Sequence, residues 1–322
     1  MLVPSGARAQ RADDRYDALV RQYARGDQQD AAVELARWSR ADVSAAGARA
    51  ARFAPDAQRA AVMLHTDAGI ALLSASATNL GVLHLLTASH IVGAMRDRRG
   101  DHLFERRWLS FVATVYTANG LLGSADRTIR DALSWYSREP LLYVARGALG
   151  EMRIAMTFVD LRSGNQIARR DRAYDAAAAD YRRAIGLDDR LAIAHLRLGS
   201  VHFTTHDGRA RENFDAALER ATEVRDRYLA ELFLGALAER GDRLDEAERA
   251  YTAAQALAPG CQTPYVALAR IDHALGRAAR AGEAAAAFTA IPEKSNDPWW
   301  DFHLGGFDQV SLAWLHAQAQ AP

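Results

Sequence analysis

Residues 228–259 read YLAELFLGALAERGDRLDEAERAYTAAQALAP, and this stretch decides the fold. Small, aromatic and helix-ending residues recur in it at spacings of 12, 4, 3 and 5: Gly235, Ala247, Tyr251, Ala254 and Pro259. Small residues let two helices cross closely, and a proline without a donor N–H ends a helix. The stretch therefore predicts a helical hairpin, with helices over about 228–239 and 244–257 joined by a turn at 240–242.

Three side chains of this hairpin receive specific expectations. Leu234 and Tyr251 are large and apolar, so we expect them to fill the gap between neighbouring hairpins. Asp242 follows the turn glycine, where an acidic side chain can cap the next helix. A hairpin of this kind cannot bury its apolar face alone, so it must stack on similar hairpins.

Weaker copies of the pattern occur on both sides at steps close to 34 residues. They predict hairpins over about 106–139, 140–190, 192–222, 228–259 and 262–292. Residues 10–100 show more divergent helical patterns, and Gly26-Asp27 marks the turn of an opening hairpin. The array then holds about seven hairpins, although ordinary antiparallel helix pairs would also explain the copies before residue 100.

The pattern resembles the tetratricopeptide repeat (TPR), strongly over 192–292 and loosely over most of the rest. The resemblance implies an all-α fold, a right-handed α-α superhelical solenoid whose concave groove binds peptides or assembles complexes. Exported bacterial members of the family are the most similar. Members that clamp a C-terminal Glu-Glu-x-Asp tail carry Lys and Asn in the groove, so that function is not expected here, where the comparable places hold Leu196, Ser200, Phe233, Thr263 and Ala267.

The first helix of each hairpin should contribute to the groove, and the residues flanking its packed positions should point inward. This set mixes aromatic and arginine side chains, a composition that suits a peptide or protein partner through apolar contacts and carboxylate pairing. The predicted partner-binding residues are Arg197, Ser200, Phe203, Leu232, Phe233, Arg240, Arg270 and His273.

Residues 293–322 break the repeat, beginning with an acidic run and then Asp-Pro-Trp-Trp-Asp-Phe at 297–302. Three aromatic residues in four positions bury a large area, so we interpret the segment and the helix after it as a cap on the last hairpin. Two alternatives remain. The aromatic residues could form a solvent-facing hook for a partner, or Trp299 and Trp300 could make the chain a self-associating assembly subunit.

Candidate catalytic and metal-binding residues are few. His195, His202 and His206 fall on one helix face but span about 16 Å, so only His202 and His206 could share an ion. We predict no metal and no cofactor, because large packing residues normally occupy the places of His195 and His202. The alternative is a metal-dependent binder or enzyme that uses the pair His202 and His206.

No other pattern indicates catalysis. Cys261 is the only cysteine and lies between two helices with no histidine near it in sequence, so we expect an inert thiol. The sequence also lacks a Gly-x-Ser-x-Gly elbow and a Gly-x-x-x-x-Gly-Lys loop. It therefore favours a non-enzymatic scaffold that binds a protein or peptide partner.

Charge and hydropathy narrow the setting. The 322 residues include 40 basic and 40 acidic side chains that are interspersed, so no nucleic-acid partner is expected. Residues 68–95 carry no Asp, Glu, Lys or Arg, but a turn signal at 76–81 favours two buried helices over a membrane span. Residues 1–9 are interpreted as a signal-peptide remnant or a disordered tail, because Ala7-Arg8-Ala9 has a small-x-small pattern. This favours a periplasmic or otherwise exported protein, with a cytoplasmic one as the alternative.

Overall fold

The computed structural model describes residues 5–96, 102–157, 164–291, 297–303 and 309–320. All regular structure in these ranges is α-helical, in agreement with the predicted all-α class. The helices are α1 Ser5–Ala24, α2 Gln28–Leu35, α3 Arg40–Ala50, α4 Pro55–Ser74, α5 Thr78–Arg96, α6 Leu103–Ala118, α7 Leu122–Trp135, α8 Pro140–Thr157, α9 Gly164–Leu187, α10 Ala192–Thr204, α11 Ala210–Arg220, α12 Val224–Arg240, α13 Leu244–Leu257, α14 Thr263–Ala274, α15 Ala278–Ala290, α16 Pro298–His303 and α17 Gln309–Gln320.

The chain divides into two compact units. Unit 1 comprises residues 1–115 and 308–322, and unit 2 comprises residues 116–307. In the described part of the chain, no helix is both long enough and apolar enough to cross a membrane.

Unit 1 is organised around α4. Helix α5 pairs with α4 along its length, and α1, α2 and α17 also pack on α4. The pairing is close because two glycines meet: a Cβ placed on Gly69 would lie 3.0 Å from the carbonyl oxygen of Gly81. A turn separates the two helices as predicted, but it lies at residues 75–77 and not at 76–81, since α4 ends at Ser74 and α5 begins at Thr78.

Two features of unit 1 differ from the sequence prediction. Helix α3 was not predicted; Ser39 caps it by accepting a hydrogen bond from the backbone N–H of Asp42, and α3 packs on α5. Helix α17 was predicted as part of a C-terminal cap on the solenoid but packs on α4. At the N-terminus, α1 already begins at Ser5, so residues 5–9 are helical rather than a disordered tail, and residues 1–4 lie outside the described part.

Unit 2 contains the predicted solenoid. Four hairpins, α8–α9, α10–α11, α12–α13 and α14–α15, follow one another, and the second helix of each packs on the first helix of the next. The structure places the helix of 244–257 at the residues predicted for it, whereas the preceding helix begins four residues earlier than predicted, at Val224. The end of the hairpin predicted over 262–292 lies outside the described residues, since α15 ends at Ala290 and residue 292 is not described.

Each of three hairpins closes around a glycine and an aromatic ring. A Cβ placed on Gly235 would lie 2.5 Å from Cε1 of Tyr251, and Gly147 faces Tyr181 in the same way. In the third hairpin, Gly199 faces Phe214. Tyr251 therefore fills the space inside its own hairpin, which corrects the prediction that it fills the gap between hairpins: without a side chain on the glycine, the first helix leaves room for the whole ring.

The turns between paired helices share a left-handed residue. Gly276 has φ 71°, and 34 residues earlier Asp242 has φ 57°. The same conformation occurs at His206, φ 58°, between α10 and α11. Asp242 therefore closes the turn and does not cap α13, whose capping residue is Arg243 and makes no side-chain capping bond. This corrects the predicted role of Asp242.

Candidate functional site: the first-helix face of unit 2

The first helices of three successive hairpins, α10, α12 and α14, form one surface of unit 2, here called the first-helix face. Residues Asp297–His303, here called the docked segment, lie on this face. Helix α16 makes up most of the segment and packs against α12. The face that was predicted to bind a peptide thus carries a stretch of the protein's own chain.

A carboxylate anchors one end of the docked segment. Asp297 is 3% exposed, and its Oδ1 accepts a hydrogen bond from the hydroxyl of Tyr228 at 2.8 Å. Its Oδ2 accepts two more from Thr263, from the backbone N–H at 2.9 Å and from the hydroxyl at 2.7 Å. Burial and the charge of Asp297 raise the pKa of Tyr228, so this phenol stays a donor. Donors from two successive hairpins therefore hold one buried carboxylate.

Aromatic packing holds the rest of the docked segment. The ring centroid of Phe233 on α12 lies 4.8 Å from that of Trp299 and 5.2 Å from that of Phe302. Below them, Phe233 stacks on Phe214 with 8° between the ring planes. Phe302 is 1% exposed. The segment thus completes an aromatic cluster whose other members come from α10, α11 and α12.

Arg197 covers the far side of the cluster. Its guanidinium carbon lies 3.9 Å from the ring centroid of Phe302, a cation–π contact, and its Nη1 lies 3.7 Å from Glu151. Arg197 is 4% exposed, so both contacts lie in a largely dry environment. Burial raises the pKa of Asp301. The positive charge of Arg225, near the start of α12, acts in the opposite direction and lowers that pKa. The docked segment therefore brings two acidic side chains to a face that offers arginines.

The predicted cap is thus corrected. Trp299 and Phe302 pack on Phe233 of α12, in the middle of the array, where Phe214 stacks on the same ring. Helix α15 has no buried residue at all. Only Trp300 points away from the cluster, with 60% of its surface exposed. The rest of the predicted 293–306 stretch, residues 293–296 and 304–306, lies outside the described residues.

Four of the predicted groove residues are buried. Phe233 and Arg197 contact the docked segment, an occupant that the sequence did not predict. Leu232 is 1% exposed and belongs to the hydrophobic core of unit 2. Ser200 is also buried. Leu232 and Ser200 are therefore not surfaces for a partner, which corrects that part of the prediction: they lie on the side of the helix that packs inward.

Of the other four predicted residues, Phe203 is half-buried and three are exposed: Arg240, Arg270 and His273. The guanidinium carbon of Arg240 lies 3.4 Å from the ring centroid of Phe203, and its Nη1 donates to the carbonyl oxygen of Phe203. Arg270 forms a two-point ion pair with Glu239, with Nη2 and Oε2 2.6 Å apart. His273 is exposed on the same helix as Arg270.

The same inter-hairpin contact is made three times. Four residues after the packing glycine of each hairpin stand Glu151, Phe203 and Glu239, and an arginine of the next hairpin contacts each one. Where the facing ring is a tyrosine, its hydroxyl donates to that glutamate, as Tyr181 does to Glu151 and Tyr251 to Glu239. Where the ring is Phe214, which has no hydroxyl, the glutamate is replaced by Phe203. Most arginines on this face therefore serve to join hairpins.

The histidines considered for a metal have other partners. Nδ1 of His202 lies 3.2 Å from Nδ2 of Asn213, and His195 bonds the carbonyl oxygen of Asp189. His206 occupies the left-handed turn position, with Arg240 3.5 Å from its Nδ1. Within the described ranges, no group of three or more His, Cys, Asp and Glu side chains is arranged to hold an ion. Cys261 is buried, and burial raises the pKa of its thiol.

Three residues of the site were missed in the sequence: Tyr228 and Thr263 as binding groups and Asp297 as the anchor. A signal for Asp297 was present, because an aspartate followed by proline is a helix start, and Oδ1 of Asp297 accepts from the N–H of Trp299. Thr263 opens α14 and Tyr228 lies in the second turn of α12, but nothing local indicates that they bind a carboxylate.

The solved structures named here are similar to the chain at 13–16% identity. No family model and no curated protein matches the chain. Among solved structures, a tetratricopeptide repeat protein from Parabacteroides merdae has 16% identity and a TM-score of 0.46 over 79% of this chain and 99% of its own. A monomeric mutant of IFIT1 with Gppp-AAAA has 14% identity and a TM-score of 0.42 over 79% of this chain and 64% of its own. The human IFIT1 dimer with PPP-AAAA has 13% identity and a TM-score of 0.37 over 78% of this chain and 64% of its own.

The chain's own geometry shows the TPR-like fold. Paired helices, stacking of each second helix on the next first helix, and the contact of glycine with an aromatic ring recur through unit 2. Two of these contacts involve Gly235 and Gly199, which lie 36 residues apart.

Proposed function

We propose that this protein is a non-enzymatic scaffold that binds a protein partner through the first-helix face of unit 2. One observation carries the proposal: the face already holds a seven-residue stretch of polypeptide by a buried carboxylate and by aromatic side chains. In surfaces that bind peptides, apolar side chains supply most of the affinity and a few polar groups fix the register of the peptide.

Part of the face remains open beside the docked segment. Val266, Arg270 and His273 stand at i, i+4 and i+7 on α14, so they form one stripe along that helix. All three are exposed, Val266 at 46%. A partner could contact this stripe without displacing any residue of the core.

The charge arrangement favours protein over nucleic acid as the partner. Arg197 and Arg270 are paired with Glu151 and Glu239, and Arg240 lies over an aromatic ring. Phosphate binding needs positive charge that is not already neutralised. We further propose export to the periplasm, for which the support is the small-x-small pattern at residues 7–9.

Site-specific photo-crosslinking tests the proposal. A photoreactive amino acid is placed at His273 on the open stripe, and the matched control places it at Glu219, an exposed residue on the second helix α11. In extracts of the source organism we expect one protein to crosslink from position 273 and not from position 219. Equal crosslinking from both positions would contradict a partner on this face.

Two further outcomes separate the rival functions. Crosslinks that disappear after ribonuclease or deoxyribonuclease treatment would indicate a nucleic-acid partner instead. Crosslinks only to a second copy of the chain, lost when Trp300 is replaced by Ala, would indicate the self-associating subunit.

A further inference from the structure

We infer that the docked segment is a tethered stand-in for the partner, and that the partner binds by presenting an acidic and aromatic peptide that displaces Asp297–His303 from the first-helix face. This inference rests on the proposed function and adds the chemistry of the ligand and the competition for its site.

The donors around Asp297 determine the first chemical group that the ligand must carry. Three donors converge on Asp297, namely the Tyr228 hydroxyl and the N–H and hydroxyl of Thr263. All three belong to the array, and a fourth donor, the N–H of Trp299, comes from the docked segment itself. A neutral side chain would leave donors unsatisfied in a buried position, so the ligand needs a carboxylate there.

The aromatic cluster around Phe233 determines the other side chains that the ligand must carry. Trp299 follows the anchor by two residues and Phe302 by five, and both contact Phe233. The cation–π contact from Arg197 adds preference for an aromatic ring at the later place, because the guanidinium lies 3.9 Å from the ring centroid of Phe302, whereas its ion pair with Glu151 is long, at 3.7 Å. The ligand is thus a short helical turn with a carboxylate, then aromatic side chains two and five residues later.

The docked segment can leave the face without disrupting the hairpins. It meets the face through one short helix of six residues, whereas the paired helices around it contact each other along their whole lengths. The core cluster formed by Phe214, Phe233 and Tyr251 extends through α10 to α14, and Phe302 is the member that the docked segment adds to it. Removal of the segment therefore uncovers Phe233 but leaves every hairpin paired.

Tethering makes the site self-limiting. A segment joined to its own site experiences an effective concentration in the millimolar range, so a free peptide of equal intrinsic affinity must compete against it. The intact protein should therefore bind such a peptide weakly, and release of the segment should strengthen the binding. Trp300, which is 60% exposed on the docked segment, is available as a first contact for a partner that begins the exchange.

Fluorescence anisotropy with a labelled peptide tests this directly. The probe is Asp-Pro-Trp-Trp-Asp-Phe-His with blocked termini, titrated with the full-length chain and with the variant Trp299→Ala/Phe302→Ala, in which the segment has lost its aromatic contacts. We expect the variant to bind the probe at least 30-fold more tightly than the wild type, in line with tethering effects of 10²–10⁴. Equal Kd values for the two proteins, or no binding by the variant, would overturn the inference.

Two controls make the chemistry specific. Adding Tyr228→Phe and Thr263→Val to the released variant should weaken probe binding about tenfold or more, whereas adding Tyr265→Phe, a tyrosine that donates to the Pro259 carbonyl, should not change it. A probe with Asn at its first position should bind as weakly as the Tyr228/Thr263 variant. Unchanged binding in either case would contradict the carboxylate anchor.

The result is separable from the proposed function and from misfolding. Circular dichroism of each variant must match the wild type; should the double variant lose helicity, Asp297→Ala, which removes only the anchor, replaces it with the same expected gain. If position 273 crosslinks a protein partner while no variant binds the probe, the scaffold function stands and the inference about its ligand is wrong.

Discussion

The hydroxyl of Tyr228 donates a hydrogen bond to the carboxylate of Asp297, 69 residues away in sequence, across a distance of 2.8 Å. This one contact joins the start of α12 to the docked segment and fixes where the segment begins. It is also buried, so its contribution is not lost to competition with water.

A double-mutant cycle measures this contact. Tyr228→Phe and Asp297→Asn, alone and together, should show a coupling of about 1.5–3 kcal/mol in the free energy of unfolding, because hydrogen bonds to charged groups fall in this range. The matched control is Tyr265→Phe, whose hydroxyl donates to the neutral carbonyl of Pro259 and should cost no more than about 0.5 kcal/mol. A coupling near zero would mean that the two side chains do not meet.

The contact of Gly235 with the ring of Tyr251 predicts opposite effects for two glycine substitutions. Gly235→Ala places a methyl group against the ring and should lower the free energy of unfolding by about 1–3 kcal/mol. Gly282→Ala in α15 meets nothing within 4 Å and should raise it by about 0.5–1 kcal/mol through helix propensity. Urea titrations of both variants give the comparison, and changes of the same sign would contradict the packing described for this hairpin.

The shared turn conformation predicts a second pair of opposite effects. Asp242 has a left-handed backbone that glycine adopts more easily, so Asp242→Gly should stabilise the protein by up to about 1 kcal/mol. Gly276→Ala, at the equivalent turn, should destabilise it by about 1–2 kcal/mol. Thermal melting monitored by circular dichroism measures both. Destabilisation by Asp242→Gly would mean that its side chain, and not its backbone, determines this turn.

Buried histidines in unit 1 predict a pH-dependent stability. Nδ1 of His65 lies 3.1 Å from Nδ1 of His84, and its Nε2 lies 3.1 Å from the Tyr16 hydroxyl. Burial, and then the charge of His84, holds the pKa of His65 well below its usual value, and burial lowers the pKa of His84 to about 4. The folded protein keeps both rings neutral, whereas the unfolded chain binds protons below about pH 6.5.

The sign follows from this difference. The free energy of unfolding should be highest above about pH 6.5 and should fall as the pH drops toward 4, by up to about 1.4 kcal/mol per pH unit for each histidine. His84→Gln removes one of the two groups, so its loss of stability between pH 7.5 and 5.0 should be smaller than that of the wild type by about 1–2 kcal/mol. Parallel pH profiles for the two proteins would contradict the account of a neutral buried pair.

The periodic part of the fold could be predicted from sequence because its signals are local. The residues of α13 and the turns near Gly26 and Asp242 follow from spacing and from turn chemistry within one hairpin. Helix α3 was missed although Ser39 and Asp42 have the spacing of a capping pair, because its apolar residues are mostly alanines and give a weak period.

The site was only half predictable. Phe233 and Arg197 could be assigned to the first-helix face from their register, but whether that face is open depends on a segment that follows the repeats and returns to them. Such a return leaves no trace in a 34-residue period. The sequence showed that the aromatic residues at 299–302 need a surface to pack on. The last hairpin is nearest in sequence and was predicted to be that surface, but the structure places Trp299 and Phe302 on α12.

The central claim, that Asp297–His303 is bound to the first-helix face and can be displaced from it, is tested most directly by ¹⁹F NMR of the full-length chain labelled with 5-fluorotryptophan. Trp299 and Trp300 are assigned by replacing each with Phe. We predict that the Trp299 resonance lies away from the position of the free heptapeptide, because its ring contacts Phe233, and moves to that position when excess unlabelled peptide is added, while exposed Trp300 stays near it throughout. A Trp299 resonance already at the free position in the wild type, or one that does not move in saturating peptide, would contradict the claim.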